Sequence, residues 1–171
     1  MSTLHVENLK GLSSGSNANK IIVPSGQTLT APGHVVQVVQ GTLGSAANTN
    51  TTSYTDTGLT ATITPTSATS KILVITSASG CLQDNATSDE TAKVNLVRGS
   101  TQISELETQI RTRGGTGGEN APFNTNFSFL DSPSTTSATT YKVQQKVVSA
   151  EVLYFNFGSS TATITLMEIA Q

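Results

Sequence analysis

Apolar residues recur at every second position along much of the chain. Leu59, Ala61 and Ile63 alternate with Thr60, Thr62 and Thr64, the period-2 signature of a strand with one wet face. Ala92, Val94 and Leu96 repeat it. Tyr141, Val143, Gln145 and Val147 share one face, opposite Lys142, Gln144 and Lys146. Val35 to Gln40 is rich in β-branched residues, and Phe127 and Phe129 flank Ser128 in a further strand. Ile72-Leu73-Val74-Ile75 is a continuous run, which predicts a strand buried on both faces. Val152 to Phe157 and Thr161 to Ile169 form a last pair, with Gly158-Ser159-Ser160 as a hairpin turn between them. Gln102 to Gln109 fits either a strand with a bulge or one helical turn.

The breaks carry Gly, Pro, Asn or Asp, at roughly one strand every 8–15 residues. Arg98-Gly99-Ser100 reads as a turn. Asp56, beside Gly58, and Asp131, beside Pro133, read as turn formers. No amphipathic helical stretch of useful length occurs. The pattern predicts an all-β fold: an antiparallel β-sandwich, jelly-roll-like, with about eight strands in the main domain. A closed barrel is the alternative. Without a clean fixed-period repeat, a propeller or solenoid is not expected.

Residues 1–33 differ from the rest. The short apolar runs Leu4-His5-Val6 and Ile21-Ile22-Val23 are separated by the Gly/Ser/Asn stretch GLSSGSNAN. Pro24-Ser25-Gly26 and Ala31-Pro32-Gly33 read as turns. Residues 1–33 are therefore expected to be an extended N-terminal arm, and residues 34–171 the sandwich domain. The arm has too little apolar surface for its own core. It is expected to lie on a partner chain, with folding back on its own domain as the alternative.

Composition sharpens this picture. Charged residues are 12% of the 171 residues and the formal net charge is -2, so there is no general basic field for nucleic acid. The polar surface must come from Thr, Ser, Asn and Gln. Thr suits a pleated, half-buried surface, and a shortage of Lys and Glu suits proteins that pack side by side. The regular alternation argues against disorder. The opening MSTLHVENLK lacks the apolar run of a signal peptide, and no stretch approaches the ~20 apolar residues of a membrane span. Ordinary export and membrane insertion are not expected.

Candidate chemistry is sparse. The single cysteine, Cys81, cannot form an intrachain bridge and reads as a small buried apolar residue at a strand end. His5 and His34 have no partner at metal-ligand spacing. Gly41-Thr42-Leu43-Gly44-Ser45 lacks the spacing of a nucleophile elbow. Asp84, Asp89 and Glu90 in QDNATSDE are oxygen-rich but miss the offsets of an EF-hand loop, so a solvated loop is expected. The run Arg111 to Gly118 is Gly-rich, but Glu119-Asn120-Ala121-Pro122 follows. Without a helix there, an exposed loop is expected rather than a phosphate cradle. Residues 83–90 and 111–122 are the first places to look for receptor contacts. Aromatic residues are 5% and Trp is absent. Phe127, Phe129, Tyr154, Phe155 and Phe157 lie in strands and are expected in the core, which weakens a glycan-binding reading. No catalytic, cofactor-binding or metal-ligating residue is nominated, and an enzyme is not expected.

Five stretches, taken in order, look familiar: GHVVQVVQ at 33–40, SYTDTGLTATITPTSATSKILV at 53–74, LVRGSTQI at 96–103, FLDSPSTTSATTYKVQ at 129–144 and ITLMEIAQ at 164–171. Together they resemble a β-rich module of fibre-like structural virion proteins of marine and freshwater, cyanophage-like bacteriophages. MSTLHVENLK followed by KIIVPSGQTLTAPG is similar to their N-terminal arm. The resemblance implies a virion component, a homotrimer carrying a surface-exposed sandwich. Its partners would be further copies of itself, other virion proteins through the arm, and a host cell-surface receptor. A short tail-fibre-like appendage and a capsid decoration protein both fit. A free carbohydrate-binding module is a third reading.

Overall fold

The computed structural model describes residues 13–16, 20, 25, 31–83, 90–110, 120–148, 152–158 and 160–171. The chain divides into two units, Met1–Ala31 and Pro32–Gln171. Most of the first unit, and with it most of the expected arm, lies outside the described residues. The described residues of the second unit form twelve strands: β1 (Val35–Leu43), β2 (Ala47–Thr49), β3 (Thr55–Ile63), β4 (Lys71–Ser77), β5 (Ser79–Gln83), β6 (Glu90–Arg98), β7 (Thr101–Ile110), β8 (Asn120–Asn124), β9 (Phe127–Asp131), β10 (Thr139–Val147), β11 (Val152–Phe155) and β12 (Ala162–Ile169). Among the described residues there is no helix.

The strands form three four-stranded antiparallel sheets. Sheet I has the order β1-β12-β4-β9, sheet II β3-β10-β6-β7 and sheet III β2-β11-β5-β8. The eight strands of sheets I and II follow a jelly-roll path. Only β6 and β7 are joined as a hairpin within one sheet, through Gly99-Ser100, with Arg98 opposite Thr101. The other connections cross between sheets. The expected antiparallel, jelly-roll-like sandwich is therefore the fold observed.

Sheet III explains the four extra strands. Four of the crossings each leave a short strand in it, and its order copies that of sheet I: β2 follows β1, β11 precedes β12, β5 follows β4 and β8 precedes β9. Sheet III is thus sheet I continued around a bend. Ala78 alone separates β4 from β5, and Thr125 and Asn126 separate β8 from β9. These bend residues satisfy one another. The Thr125 N–H and hydroxyl both donate to the Ala78 carbonyl, at 3.0 and 3.1 Å, and the Ala78 N–H donates to Asn126 Oδ1 at 2.9 Å. Asn156, fully buried with φ 58, closes the same row. Its amide Nδ2 donates to the carbonyls of Leu43, Ser45 and Ser160 at 2.9, 3.3 and 2.7 Å.

That geometry corrects the predicted hairpin at residues 158–160. β11 belongs to sheet III and β12 to sheet I. Asn156 turns the chain from one sheet to the next, a conformation Asn tolerates better than most residues. The ambiguous segment at 102–109 is strand β7, with a bulge where Leu96 faces Ser104 and Val97 faces Gln102. Residues 120–122, expected in an exposed loop, lie in β8. Pro122 is accommodated because β8 is an edge strand.

The main core lies between sheets I and II. Leu59, Ile63, Ile72, Val74, Val94, Leu96, Tyr141, Val143, Ile164 and Leu166 fill it, with Phe127, Phe129 and Val39 packed against them. A smaller cluster of Leu82, Ala92, Val147 and Leu153, with Phe123, joins sheet III to the far end of sheet II. Cys81 is buried within β5 rather than at its end. Phe155 is core, whereas Tyr154 is half-buried and Phe157 is exposed beyond the strand. Their rings meet edge to face, with centroids 5.9 Å apart.

Two glycines are required by position. A Cβ on Gly41 would lie 1.9 Å from the Thr60 carbonyl oxygen, so β1 can approach β3 only without a side chain there. Gly58 has φ 89 at a bulge in β3, where the register to β10 shifts between Lys142 and Gln144.

Polar groups clamp the ends of the sandwich. Arg98 Nη1, from β6, donates to both oxygens of Asp131, on β9, at 2.8 and 2.7 Å. The Tyr141 hydroxyl, on β10, donates to Asp131 Oδ2 at 2.7 Å. Sheet I is thereby tied to sheet II, and Asp131 is a buried strand residue rather than the predicted turn former. Burial first, and the adjacent Asp131 carboxylate second, push the Tyr141 phenol well above its usual pKa. Glu168, fully buried at one end of β12, accepts from Gln37 Nε2 at 2.6 Å and from the Thr66 N–H and hydroxyl at 2.8 and 2.7 Å. Burial alone would raise its pKa. The bonds from Gln37, Thr66 and Ser70 outweigh burial and hold the carboxyl below its ordinary value.

Candidate interaction faces

Each large sheet has an inner face in the core and an outer face. Directly opposite residues of an antiparallel pair share a face, so the register assigns every outward side chain. The two outer faces differ in kind.

Sheet II turns Asp56, Lys93, Lys142, Gln144 and Lys146 outward, opposite in phase to the buried Leu59, Val94, Leu96, Val143 and Val147; Asn95 and Val97 share the outer phase but are buried. Lys142 Nζ lies 2.9 Å from the Asp56 carboxylate, and Gln144 Nε2 donates to Asp56 Oδ1 at 2.7 Å. Asp56 is therefore a strand residue in an ion pair, not the predicted turn former. Gln144 and then Lys142 hold its carboxyl below the usual value. Lys93 Nζ sits 3.0 Å from Glu105 Oε1, and the Tyr54 hydroxyl donates to the same carboxylate. Tyr54 and then Lys93 lower the Glu105 pKa. Lys146 Nζ lies 4.5 Å from the centre of the Tyr54 ring. Asn95 Nδ2 donates to Gln102 Oε1 at 3.0 Å. Charges on this face are thus engaged pairwise by their neighbours. Such pairs at a wet surface contribute little stability but keep the face soluble.

Sheet I presents a different surface. Val38 of β1 lies opposite Met167 of β12, Met167 opposite Leu73 of β4, and Leu73 opposite Leu130 of β9. All four point away from the core, because Val39, Leu166, Val74 and Phe129 point into it. The result is an apolar row across all four strands. Ile75 and Ile169 extend it. Val38 is 55% exposed, Leu130 51% and Ile75 38%. This corrects the expectation that the run at 72–75 is buried on both faces: Ile72 and Val74 are core, Leu73 is half-buried and Ile75 is exposed.

The receptor-contact candidates fall largely outside the described residues: 84–89, with Asp84 and Asp89, and 111–119. Glu90 begins β6. His5 also lies outside them. His34 precedes β1, and its carbonyl accepts from the Ala170 N–H at 3.0 Å. Among the described residues, no three His, Cys, Asp or Glu side chains group so as to hold a metal ion. The apolar row itself carried a sequence signal. On β1, β4 and β12 both phases of the alternation carry apolar residues, the outer one Val38, Leu73, Ile75, Met167 and Ile169, whereas on β3 and β10 only one does.

No protein-family profile matches the sequence. No curated protein matches it. Among solved structures, the chain is similar to that of infectious bursal disease virus, Gx strain, at 12% identity and TM-score 0.36, covering 88% of this chain and 41% of that one. It is similar to the VP2 protein of the same virus in T=1 particles, at 12% identity and TM-score 0.36, covering 92% and 42%. It is also similar to dimeric latent PorU from Porphyromonas gingivalis, at 5% identity and TM-score 0.37, covering 90% of this chain and 15% of that one. The chain spans less than half the length of each of these proteins.

Proposed function

We propose that this chain is a structural protein of a bacteriophage particle, a homotrimeric surface appendage of the short tail-fibre kind. The observation that carries the reading is a jelly-roll sandwich with one ion-paired outer face and one apolar outer face. Jelly rolls recur in viral capsid and lectin domains. Because a fold alone does not fix a function, further support comes from the motif-by-motif resemblance to phage fibre-like proteins and from the 12% charge content. In this reading residues 1–33 anchor the protein to other virion proteins and the sandwich is displayed on the particle surface, where it meets a host receptor. A capsid decoration protein is the second reading, favoured by the same apolar face if that face sits on a shell.

Mass spectrometry of purified particles of the phage that encodes the chain, with antibody labelling in the electron microscope, tests this directly. The protein is expected in the particles, with label on the tail. Label on the head transfers the role to decoration. Absence from the particles overturns both readings. For host attachment, purified protein should slow phage adsorption. No competition at saturating protein would remove the receptor role.

A further inference from the structure

We infer that the outer face of sheet I is the surface through which copies of this chain meet. The inference rests on the assembly reading above for its setting, and on the two faces for its argument.

The row Val38–Met167–Leu73–Leu130 crosses the whole sheet, with Ile75 beside it. Among the described outward positions of this sheet only Lys71 is charged, and it lies at the end of β4. Around the row stand small or neutral side chains: Gln40, Thr165 and Ser128 occupy the next position on β1, β12 and β9. A charged partner surface laid on this row would lose hydration with nothing to replace it. The occupant must therefore be flat, neutral and apolar at its centre. A second copy supplies such a surface: about a closed rotation axis every subunit turns this same face toward the axis, one part of it against a different part of its neighbour's. The outer face of sheet II does not, because its Lys142–Asp56 and Lys93–Glu105 pairs would be buried. Sheet faces pack about 10 Å apart with interleaved side chains. Four strands at a spacing of ~4.8 Å give a face wide enough for the apolar centre of an interface, which a polar rim would complete to the usual ~800 Å² per partner.

The test is light scattering of the full chain over a range of concentrations, for the wild type and for Val38→Lys and Leu130→Lys. Both positions are more than half exposed, so the isolated subunit should fold with an unchanged melting temperature. Leu130→Ser removes the apolar group without adding charge, should a lysine disturb the strand. Thr140→Lys places the same charge on the outer face of sheet II. The wild type is expected to form oligomers, and each lysine variant on sheet I to weaken association by at least about 100-fold. Leu130→Ser should weaken it less, and Thr140→Lys should leave it unchanged. A wild type that stays monomeric at every concentration overturns the inference. Oligomers that persist in both lysine variants also overturn it, since another surface then joins the copies. A monomeric wild type would also remove the homotrimer from the proposed function, but neither result touches the virion location, which is decided on particles.

Discussion

The two outer faces of the sandwich are built on the same strand geometry, from the same chain, yet they solve opposite problems. On sheet II long polar side chains lie over the strands and engage one another: Lys142 pairs with Asp56 and Lys93 with Glu105, while Lys146 sits over the Tyr54 ring. Its lysines thus have partners within the face. On sheet I an apolar row crosses four strands with a single terminal lysine nearby. That face is incomplete, because contiguous exposed apolar surface on a soluble domain marks a contact site. A low-charge chain has few ionic side chains to distribute, and this one sets Asp56, Lys93, Glu105, Lys142 and Lys146 on one face.

The largest expected effect would break the frame that holds the faces apart. Gly41→Ala drives a methyl into the Thr60 carbonyl and should cost about 3 kcal/mol or more, or prevent folding altogether. Urea unfolding of purified protein measures it. If Gly41→Ala proves neutral, the close approach of β1 to β3 is wrong.

Next comes the buried carboxylate of sheet I. Glu168→Leu leaves the donors of Gln37 and Thr66 without their acceptor and should cost about 3 kcal/mol. This group also makes stability depend on pH. Its folded pKa is depressed below the ordinary 4.5. Its contribution is therefore fully present above the unfolded pKa and is lost as pH falls through the folded one. Denaturant melts from neutral pH down to about pH 3 should show the wild type losing its advantage over Glu168→Gln in that acid window. A constant difference would contradict the assignment.

A smaller effect is expected at the clamp between the sheets. Tyr141→Phe removes the hydroxyl that Asp131 accepts, while Arg98 keeps that carboxylate paired. The loss should be about 1 kcal/mol, read as a lowered unfolding midpoint. The smallest effect belongs to sheet II. Lys142→Ala breaks an ion pair at a wet surface and should change stability by less than about 1 kcal/mol, without altering the mass in solution. A large change there would erase the contrast between the faces.

Much of the fold was legible in the sequence where strands were long. The alternations at Leu59–Ile63 and Tyr141–Val147 have enough repeats to define a period, and both became core strands. β2, β5 and β8, at three to five residues, are too short to show one, and Pro122 disguised β8 as loop. The hairpin expected at 158–160 failed because strand neighbours in sequence need not share a sheet. The buried Asn156 that redirects the chain leaves no periodic trace. The immediate neighbours of Asp131 and Asp56 point to turns. Their actual partners, Arg98 and Lys142, lie 33 and 86 residues away, where local pattern has no reach. The apolar row was half visible. The run Ile72–Ile75 predicts burial on both faces, because sequence does not separate burial within one subunit from an apolar surface left on its outside.

The contrast between the faces can be tested most directly by thiol reactivity in the assembled protein. Native Cys81 is buried within β5, and that burial raises its pKa, so it should stay silent toward a maleimide. Leu130→Cys and Thr140→Cys place one reporter on each outer face. Leu130→Cys should react slowly in the oligomer and speed up on dilution to the monomer, while Thr140→Cys reacts quickly throughout. Equal, fast labelling of both positions in the oligomer would contradict the claim that sheet I is the covered face.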